Sequence, residues 1–385
     1  MRNRTAIVGI GNTDYRSRSV RSELRMAVEA TLAACEDAGI EPDAIDGMCT
    51  VSTDLTGINN VASALDLDNL RFFAEIPFGG GGTCAAVGLA AMAVASGRAE
   101  TVLCYRSLNG RSGARLGGAR IPDPRFTRDF QFVIPAGMST PAQISAVIAR
   151  RHMHQYGTTK AQLRAAALNS RSYGATNPIA RFYQMPLTVE EYDRARMIAE
   201  PLCLYDCCLE SDAAVALLVT SAERARDLRQ RPAFVTAFAQ GLGRKAEVMP
   251  SFERTDITVC EESTYCARDL WRMAGIGPKD VRVAQVYDHF SPLVLLALED
   301  FGFVPKGESG PWVEGGALGL DGALPTNTSG GQLGEAYVNG MNQIAEAVQQ
   351  IRGTSPNQVR DVGYSFVCSG NTVPTSALVL ARDAS

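Results

Sequence analysis

The chain has 385 residues, more than one ordinary hydrophobic core supports, so two domains or a duplicated one is the expectation. Its 46% apolar and 20% charged residues are globular in proportion, and a net charge of −4 gives no reason to expect nucleic acid as a partner. The most apolar stretch, residues 85–95, is too short to span a bilayer, and no charged-then-apolar leader precedes the first strand, so a cytoplasmic protein is expected.

In chain order, the strand-like Thr5-Ala6-Ile7-Val8-Gly9-Ile10 comes first, followed by a helical stretch over residues 23–37. Gly39 stops that helix, Pro42 prevents its continuation, and the β-rich Ile45-Asp46-Gly47-Met48-Cys49-Thr50-Val51 follows. Phe78-Gly79-Gly80-Gly81-Gly82-Thr83 then opens a helix of small apolar residues that ends near Gly97, before the strand Thr101-Val102-Leu103-Cys104-Tyr105. A helix apolar all round has no solvent face, so it should lie buried between layers.

Residues 110–200 differ in character. They are rich in Arg and Pro (Arg111, Arg115, Arg120, Arg125, Arg128; Pro122, Pro124, Pro135) and read as a loop domain inserted over the active site. The arginine forks suit the phosphates of a large anionic carrier substrate; the alternative is a solvated decoration. Asp212-Ala213-Ala214 leads into the strand Val215-Ala216-Leu217-Leu218-Val219.

The order then repeats. A helix over residues 265–273 ends at Ala274-Gly275-Ile276-Gly277-Pro278, and Val283-Ala284-Gln285-Val286-Tyr287 follows as a strand. Asn327-Thr328-Ser329-Gly330-Gly331 precedes a helix over about residues 335–351, then the strand Val362-Gly363-Tyr364-Ser365-Phe366-Val367. The halves divide as residues 1–225, carrying the insertion, and 226–385. Each reads strand, helix, strand, glycine turn, helix, strand, which is an α/β plan with a mixed or parallel sheet. The buried small-residue helix further implies a duplicated five-layer α-β-α-β-α sandwich.

Ten cysteines without a leader read as small buried hydrophobes of a reducing compartment. Only Cys203, Cys207 and Cys208 cluster, and the histidines are His152, His154 and His289, so no metal site is expected. The Gly79–Gly82 run lacks the Lys-Ser/Thr of a phosphate loop and the Rossmann spacing, which excludes nucleotide binding there.

Taken with Pro201-Leu202-Cys203-Leu204-Tyr205-Asp206-Cys207-Cys208-Leu209-Glu210-Ser211 and Ser96-Gly97-Arg98-Ala99-Glu100, these stretches resemble thiolases over essentially the whole chain. Within them the likeness is to the sterol-carrier-protein and lipid-transfer-protein branch. The resemblance implies a nucleophilic Cys at the start of the buried helix; counting back from Gly97 puts that position near Gly80, not Cys84. It implies a His where Tyr287-Asp288-His289-Phe290 has Tyr287, and a second His at the register of Tyr337. Cys368, in Val367-Cys368-Ser369-Gly370, resembles the second, acid/base cysteine.

A chain without the nucleophile forms no acyl-enzyme there. The tyrosine pattern and Tyr105-Arg106-Ser107-Leu108-Asn109-Gly110 resemble the thiolase-like aldolases of bacterial steroid side-chain degradation. That likeness implies retro-aldol cleavage of a β-hydroxyacyl-CoA, a steroid side-chain thioester, to a ring ketone and propionyl-CoA. Tyr287 and Tyr337, with Cys368, would move the protons, and backbone N–H groups near Gly80 and Gly370 would hold the thioester enolate. His289 is a candidate substrate contact or a packed imidazole. Because free Tyr has a pKa of about 10, a base role needs a lowered pKa or a proton relay. No cofactor is implied. The likeness does imply a homodimer, and an OB-fold, zinc-ribbon acyl-CoA-binding partner giving a heterotetramer. Two other readings stay open: a thiolase using Cys84 or Cys368, and a non-catalytic acyl-CoA- or lipid-binding scaffold. Consumption of free CoA would separate thiolysis from cleavage.

Overall fold

The computed structural model describes residues 2–15, 18–77, 79–113, 130, 131, 133–246, 249, 252–370 and 375–384. Among the described residues nine strands form the main sheet: β1 Thr5–Asn12, β2 Gly47–Val51, β3 Phe72–Ile76, β4 Thr101–Asn109, β5 Asp212–Ser221, β6 Ala233–Gly241, β7 Val283–Gln285, β8 Tyr364–Ser369 and β9 Thr375–Ala381. Their spatial order is β3-β2-β4-β5-β1-β6-β9-β8-β7.

That order is one plan written twice. In the first half β1 pairs antiparallel with β5, β5 antiparallel with β4, and β4 and β3 both lie parallel to β2. In the second half β6 pairs antiparallel with β9, β9 antiparallel with β8, and β8 parallel with β7. A parallel bridge between Ala284 and Thr326 stands where the fifth strand would be. The halves meet through the short register Ala6–Phe234 and Ile7–Ala233.

The main helices are α1 Glu23–Ala38, α2 Thr83–Ala95, α3 Pro141–Tyr156, α4 Lys160–Thr176, α5 Glu261–Ala274, α6 Ser291–Asp300 and α7 Met341–Arg352. α2, apolar along its length, and α7 share one core with the inner faces of both half-sheets, through Ala86, Val87, Ala90, Ile344 and Val348 among others. α1 covers the outer face of the first half-sheet, and α5 and α6 cover the outer face of the second. Five layers result. Close approach to α2 requires its small residues: a Cβ on Gly88 would lie 2.1 Å from the Phe238 ring.

Two sequence boundaries shift. The helix expected from residue 335 starts only at Met341, because Asn339 and Gly340 adopt left-handed φ values of 52° and 83°. The strand expected to reach Tyr287 stops at Gln285, where the Asn327 side chain takes the Val286 N–H (2.8 Å) in place of a sheet neighbour. Both departures create the turns that carry the site.

The segment inserted after β4 is not a solvated ornament where it is described. α4 lies against the second-half glycine turn: Asn169 donates to Thr326 O (3.0 Å), Asn177 to Ser329 O (3.0 Å) and Ser170 Oγ to Asp288 (3.2 Å). Arg111 pairs with Glu210 at 3.0 Å. Arg115, Arg120, Arg125, Arg128, Pro122 and Pro124 lie outside the described residues. Among the described residues no helix is long and apolar enough to cross a membrane.

Candidate active site

Tyr287 follows the end of β7, where the main chain turns and its polar groups need partners. Gln343 Nε2 donates to Val286 O (2.5 Å), to Asn327 Oδ1 (3.1 Å) and to Asp288 Oδ1 (3.1 Å). The buried Asp288 carboxyl also accepts the N–H groups of Gln332 (2.7 Å) and Leu333 (3.4 Å), so it caps the glycine turn. Burial pushes it up to about 6, against the pull of those donors. Tyr287 and the glycine turn are thus tied to each other by side chains on both flanks.

Tyr337 lies beyond that turn, its N–H donating to Ser211 Oγ (3.0 Å). The two phenol oxygens are 3.1 Å apart, with the rings set edge to face at 6.4 Å. Tyr287 is buried and Tyr337 half-buried. Asn339 Nδ2 donates to Tyr337 Oη (3.0 Å), and Arg106 Nε donates to Asn339 Oδ1 (2.8 Å). Arg106 in turn pairs with Asp54 at 2.9 Å, both side chains nearly inaccessible.

Burial raises both phenols. Tyr287 stands well above its ordinary value, pushed first by desolvation and then by the neighbouring Tyr337. Tyr337 is pushed up to about 12 by desolvation and by the nearby Cys208, while Tyr287, Arg106 and Asn339 pull it down. Neither carries a free phenolate near neutral pH.

Gly80 explains where the Tyr287 hydroxyl sits. A Cβ on Gly80 would lie 1.8 Å from Tyr287 Oη and 2.2 Å from its Cζ. The hydroxyl fills the space that any side chain at position 80 would use. A nucleophile there and a tyrosine at 287 exclude each other.

The thiols are placed differently. Cys84, in the first turn of α2, is fully buried; its N–H donates to Ser369 Oγ (3.0 Å), and its sulfur accepts from the same hydroxyl (2.9 Å). Burial drives this thiol well above its ordinary value. A helix N-terminus stabilises negative charge by about 1 kcal/mol, less than one pKa unit, so desolvation wins. Cys368 is also fully buried, in β8, and is pushed up to about 12 although the Tyr287 backbone N–H faces it. Gly370 follows at the end of β8 with φ 70°, and the Gly80–Gly82 turn packs against this strand.

His289 stacks on Tyr287 with ring centroids 4.8 Å apart. Its Nδ1 is buried without a hydrogen-bond partner among the described residues, and desolvation lowers the imidazole to about 4. It is therefore neutral at neutral pH, with a polar atom to offer. Among the described residues no group of three His, Cys, Asp or Glu side chains could hold a metal ion.

Known proteins resemble this chain in sequence and fold. A family model described as "Thiolase C-terminal domain-like" matches residues 224–381. A steroid side-chain-cleaving aldolase of Thermomonospora curvata is 46% identical over 382 residues, 98% of each chain. A 17-hydroxy-3-oxo-4-pregnene-20-carboxyl-CoA lyase of Mycobacterium tuberculosis is 47% identical over 382 residues, 97% of this chain and 98% of its own. The chain belongs to the steroid side-chain-cleaving aldolases of the thiolase-like superfamily. The solved structure of an "Ltp2-ChsH2(DUF35) aldolase" superposes on this aldolase with a TM-score of 0.94 at 46% identity, covering 99% of this chain and 98% of that one. Human mitochondrial 3-ketoacyl-CoA thiolase, at 12% identity and a TM-score of 0.71 over 99% of both chains, shares the fold.

Three residues that the structure sets beside the tyrosine pair were not legible as candidates: Asn339, Arg106 and Asp54. One local signal existed. Asn339-Gly340 is a dipeptide that accepts two successive left-handed residues, which marks a turn immediately after Tyr337. The long-range bond from Arg106 to Asn339 has no local signature.

Proposed function

We propose that this aldolase, a carbon–carbon lyase acting on acyl-CoA, cleaves a β-hydroxyacyl-CoA by a retro-aldol reaction in which Tyr287 and Tyr337 relay the proton. A steroid side-chain thioester such as 17-hydroxy-3-oxo-4-pregnene-20-carboxyl-CoA is its substrate class, with a ring ketone and propionyl-CoA as products. The observation that carries the reading is the pair of phenol oxygens 3.1 Å apart, one of them in the space a nucleophile at position 80 would need.

The chemistry balances without an external acid or base. The β-hydroxyl gives its proton to one tyrosine oxygen as the bond between the α- and β-carbons breaks. The β-carbon becomes the ketone carbon, and the released electron pair forms the thioester enolate. The first tyrosine passes its own proton to the second, and the second protonates the α-carbon, either directly or by handing its proton to Cys368 as Cys368 gives its own to that carbon. One proton moves from oxygen to carbon and none is gained or lost overall. Because burial raises both phenols, a relay through neutral hydroxyls is favoured over attack by a standing phenolate. Backbone N–H groups at Gly80 and Gly370 would face the enolate oxygen, where preorganised donors act most strongly in a dry site. The neutral His289 beside Tyr287 would contact the substrate.

The reaction is redox-neutral and internal in its proton balance, so no cofactor is needed. We further propose a cytoplasmic protein divided near residue 225. A homodimer would form through the first half: β3 pairs with β2 along one side, and Phe73 on it is 68% exposed. The similar aldolase whose solved structure is named with ChsH2(DUF35) supports a partner protein for this chain as well, here an OB-fold, zinc-ribbon acyl-CoA-binding protein in a heterotetramer. The deciding experiment is product analysis from 17-hydroxy-3-oxo-4-pregnene-20-carboxyl-CoA with and without added CoA. Cleavage to ketone and propionyl-CoA in its absence is expected; strict dependence on free CoA would mean thiolysis. A monodisperse monomer by light scattering at micromolar concentration would defeat the dimer.

A further inference from the structure

We propose that Asp54, Arg106 and Asn339 form a positioning device for the tyrosine pair, locking the Asn339 amide with its N–H groups toward the hydroxyls so that the phenol protons can point only to each other and to substrate. The inference rests on the tyrosine relay proposed above and names what orders it.

A side-chain amide has a donor end and an acceptor end of nearly the same shape, and only its neighbours decide which way it faces. Here the neighbour is a guanidinium, which donates and never accepts. Arg106 Nε lies 2.8 Å from Asn339 Oδ1, so the oxygen must face Arg106 and Nδ2 must face the tyrosines. Arg106 cannot drift away, since it is 3% exposed, paired with Asp54 (2.9 Å) and bonded through Nη1 to Ser107 O (2.6 Å). Asn339 is fixed from the other side by Thr83 Oγ1, which donates to its carbonyl at 2.6 Å, and by its left-handed φ of 52°.

Nδ2 then donates to Tyr337 Oη at 3.0 Å, and the same side chain bonds Tyr287 as well. A phenol oxygen that receives an N–H from that side cannot send its own proton there. The remaining directions lead along the 3.1 Å contact to the other tyrosine or out to the substrate, which are the directions a relay uses. Asn339 and Arg106 touch no reacting atom in this scheme. They act through the hydroxyls.

The test is kcat and KM against pH for the full chain with 17-hydroxy-3-oxo-4-pregnene-20-carboxyl-CoA. Asn339→Asp keeps the side-chain size and tolerates the left-handed turn. It replaces a donor by an acceptor among Arg106, Asp54, Tyr287, Tyr337 and Cys208. We expect kcat to fall about 10²-fold at neutral pH, the loss typical of one preorganised donor, with KM little changed. Turnover should recover as pH falls and the new carboxyl regains a proton to donate, an acid rise the wild type lacks. Arg106→Lys keeps a charge beside Asp54 but loses the fork, and a smaller fall in kcat is expected. A folded Asn339→Asp enzyme with near-normal kcat would overturn the inference, as would an equal loss at every pH or wild-type turnover in Arg106→Lys. Tyr287→Phe and Tyr337→Phe run in parallel separate the two readings. Normal turnover in both defeats the relay itself, whereas slow tyrosine variants beside a normal Asn339→Asp enzyme defeat only the positioning device.

Discussion

The two inner helices occupy equivalent places in the repeated plan and do opposite work. α2 carries no charged or amide side chain, and its buried positions from Thr83 to Val94 serve to fill space between the half-sheets. α7 is just as enclosed, yet it buries Asn342, Gln343, Glu346 and Gln350. Each of these has partners. Asn342 donates to Glu335 (2.8 Å), Gln343 to Val286 O and Asp288, and Gln350 to Asn357 O (2.9 Å), while Glu346 accepts from Thr328 (2.5 Å) and Ser355 (2.7 Å). The difference follows from what lies beside each helix. The turns bearing Tyr287 and Tyr337 leave backbone groups without sheet partners, and buried polar groups must be satisfied. The first half contributes room and a rigid anchor, through Gly80 and the Arg106–Asp54 pair. The second half contributes the two phenol hydroxyls of the proposed relay and the polar network around them.

The largest effects should come from the hydroxyls themselves. Tyr→Phe keeps the ring and its packing but removes the group that exchanges a proton. Tyr287→Phe and Tyr337→Phe should each stay folded and lose about 10²–10⁴-fold in kcat, as for a positioned acid or base. Steady-state kinetics with a folded-state check by circular dichroism would show it. Near-normal rates in both would erase the functional contrast between the halves.

Gly80→Ala attacks the same hydroxyl from the first half. Its Cβ would meet Tyr287 Oη at 1.8 Å, so the tyrosine must move. Overpacking of this kind costs about 1–3 kcal/mol, and displacement of a reacting group by an ångström costs about 10² in rate. If the variant keeps full turnover and full stability, the first half is not holding that space open.

Glu335→Gln probes the polar network through pH. Glu335 is buried beside Ser329, Asn342 and Asn177 and is raised from 4.5 to about 8, chiefly by desolvation. The folded protein keeps this proton where the unfolded chain releases it. The stability contribution is therefore complete below about pH 4.5 and is lost as pH rises through about 8. Glutamine has no proton to lose, so the variant should show a shallower fall in urea midpoint across that window. Parallel curves for the two proteins would mean that Glu335 does not titrate this way.

How much of this could be read in the sequence follows from how local each feature is. The repeated order of elements rests on punctuation such as Gly39 with Pro42 and Gly275 with Pro278, which acts within a few residues. The convergence of Tyr287 and Tyr337 was implied by their likeness to the two histidine positions of the thiolases, and the structure brings their hydroxyls together. The fate of Cys84 needed coordinates. A thiolase using Cys84 stayed open in the sequence, and only the tertiary fold shows the sulfur sealed beneath Ser369. The amide lock joins residues 106 and 339, 233 positions apart, and no periodicity reports such a bond.

Cys84→Ala should therefore have the smallest effect, and it sharpens the contrast from the side of the first half. Cys84 lies in the helix whose residues fill space, its sulfur accepting one hydrogen bond from Ser369 and lying against Val367 O. Removing it leaves a small cavity and one unpaired hydroxyl donor, on the order of 1 kcal/mol of stability. Turnover should stay near that of the wild type, because the proposed relay runs through oxygens on the other half. Intact-mass analysis of the wild type after incubation with substrate should find no acyl group on this cysteine. A folded Cys84→Ala protein that cannot turn over, together with a substrate-derived adduct on Cys84 in the wild type, would instead place a nucleophile in the first half. Burial makes that outcome hard to reach: a thiol held far above its ordinary pKa offers little thiolate to attack a thioester, and Ser369 stands over the only sulfur at this helix start.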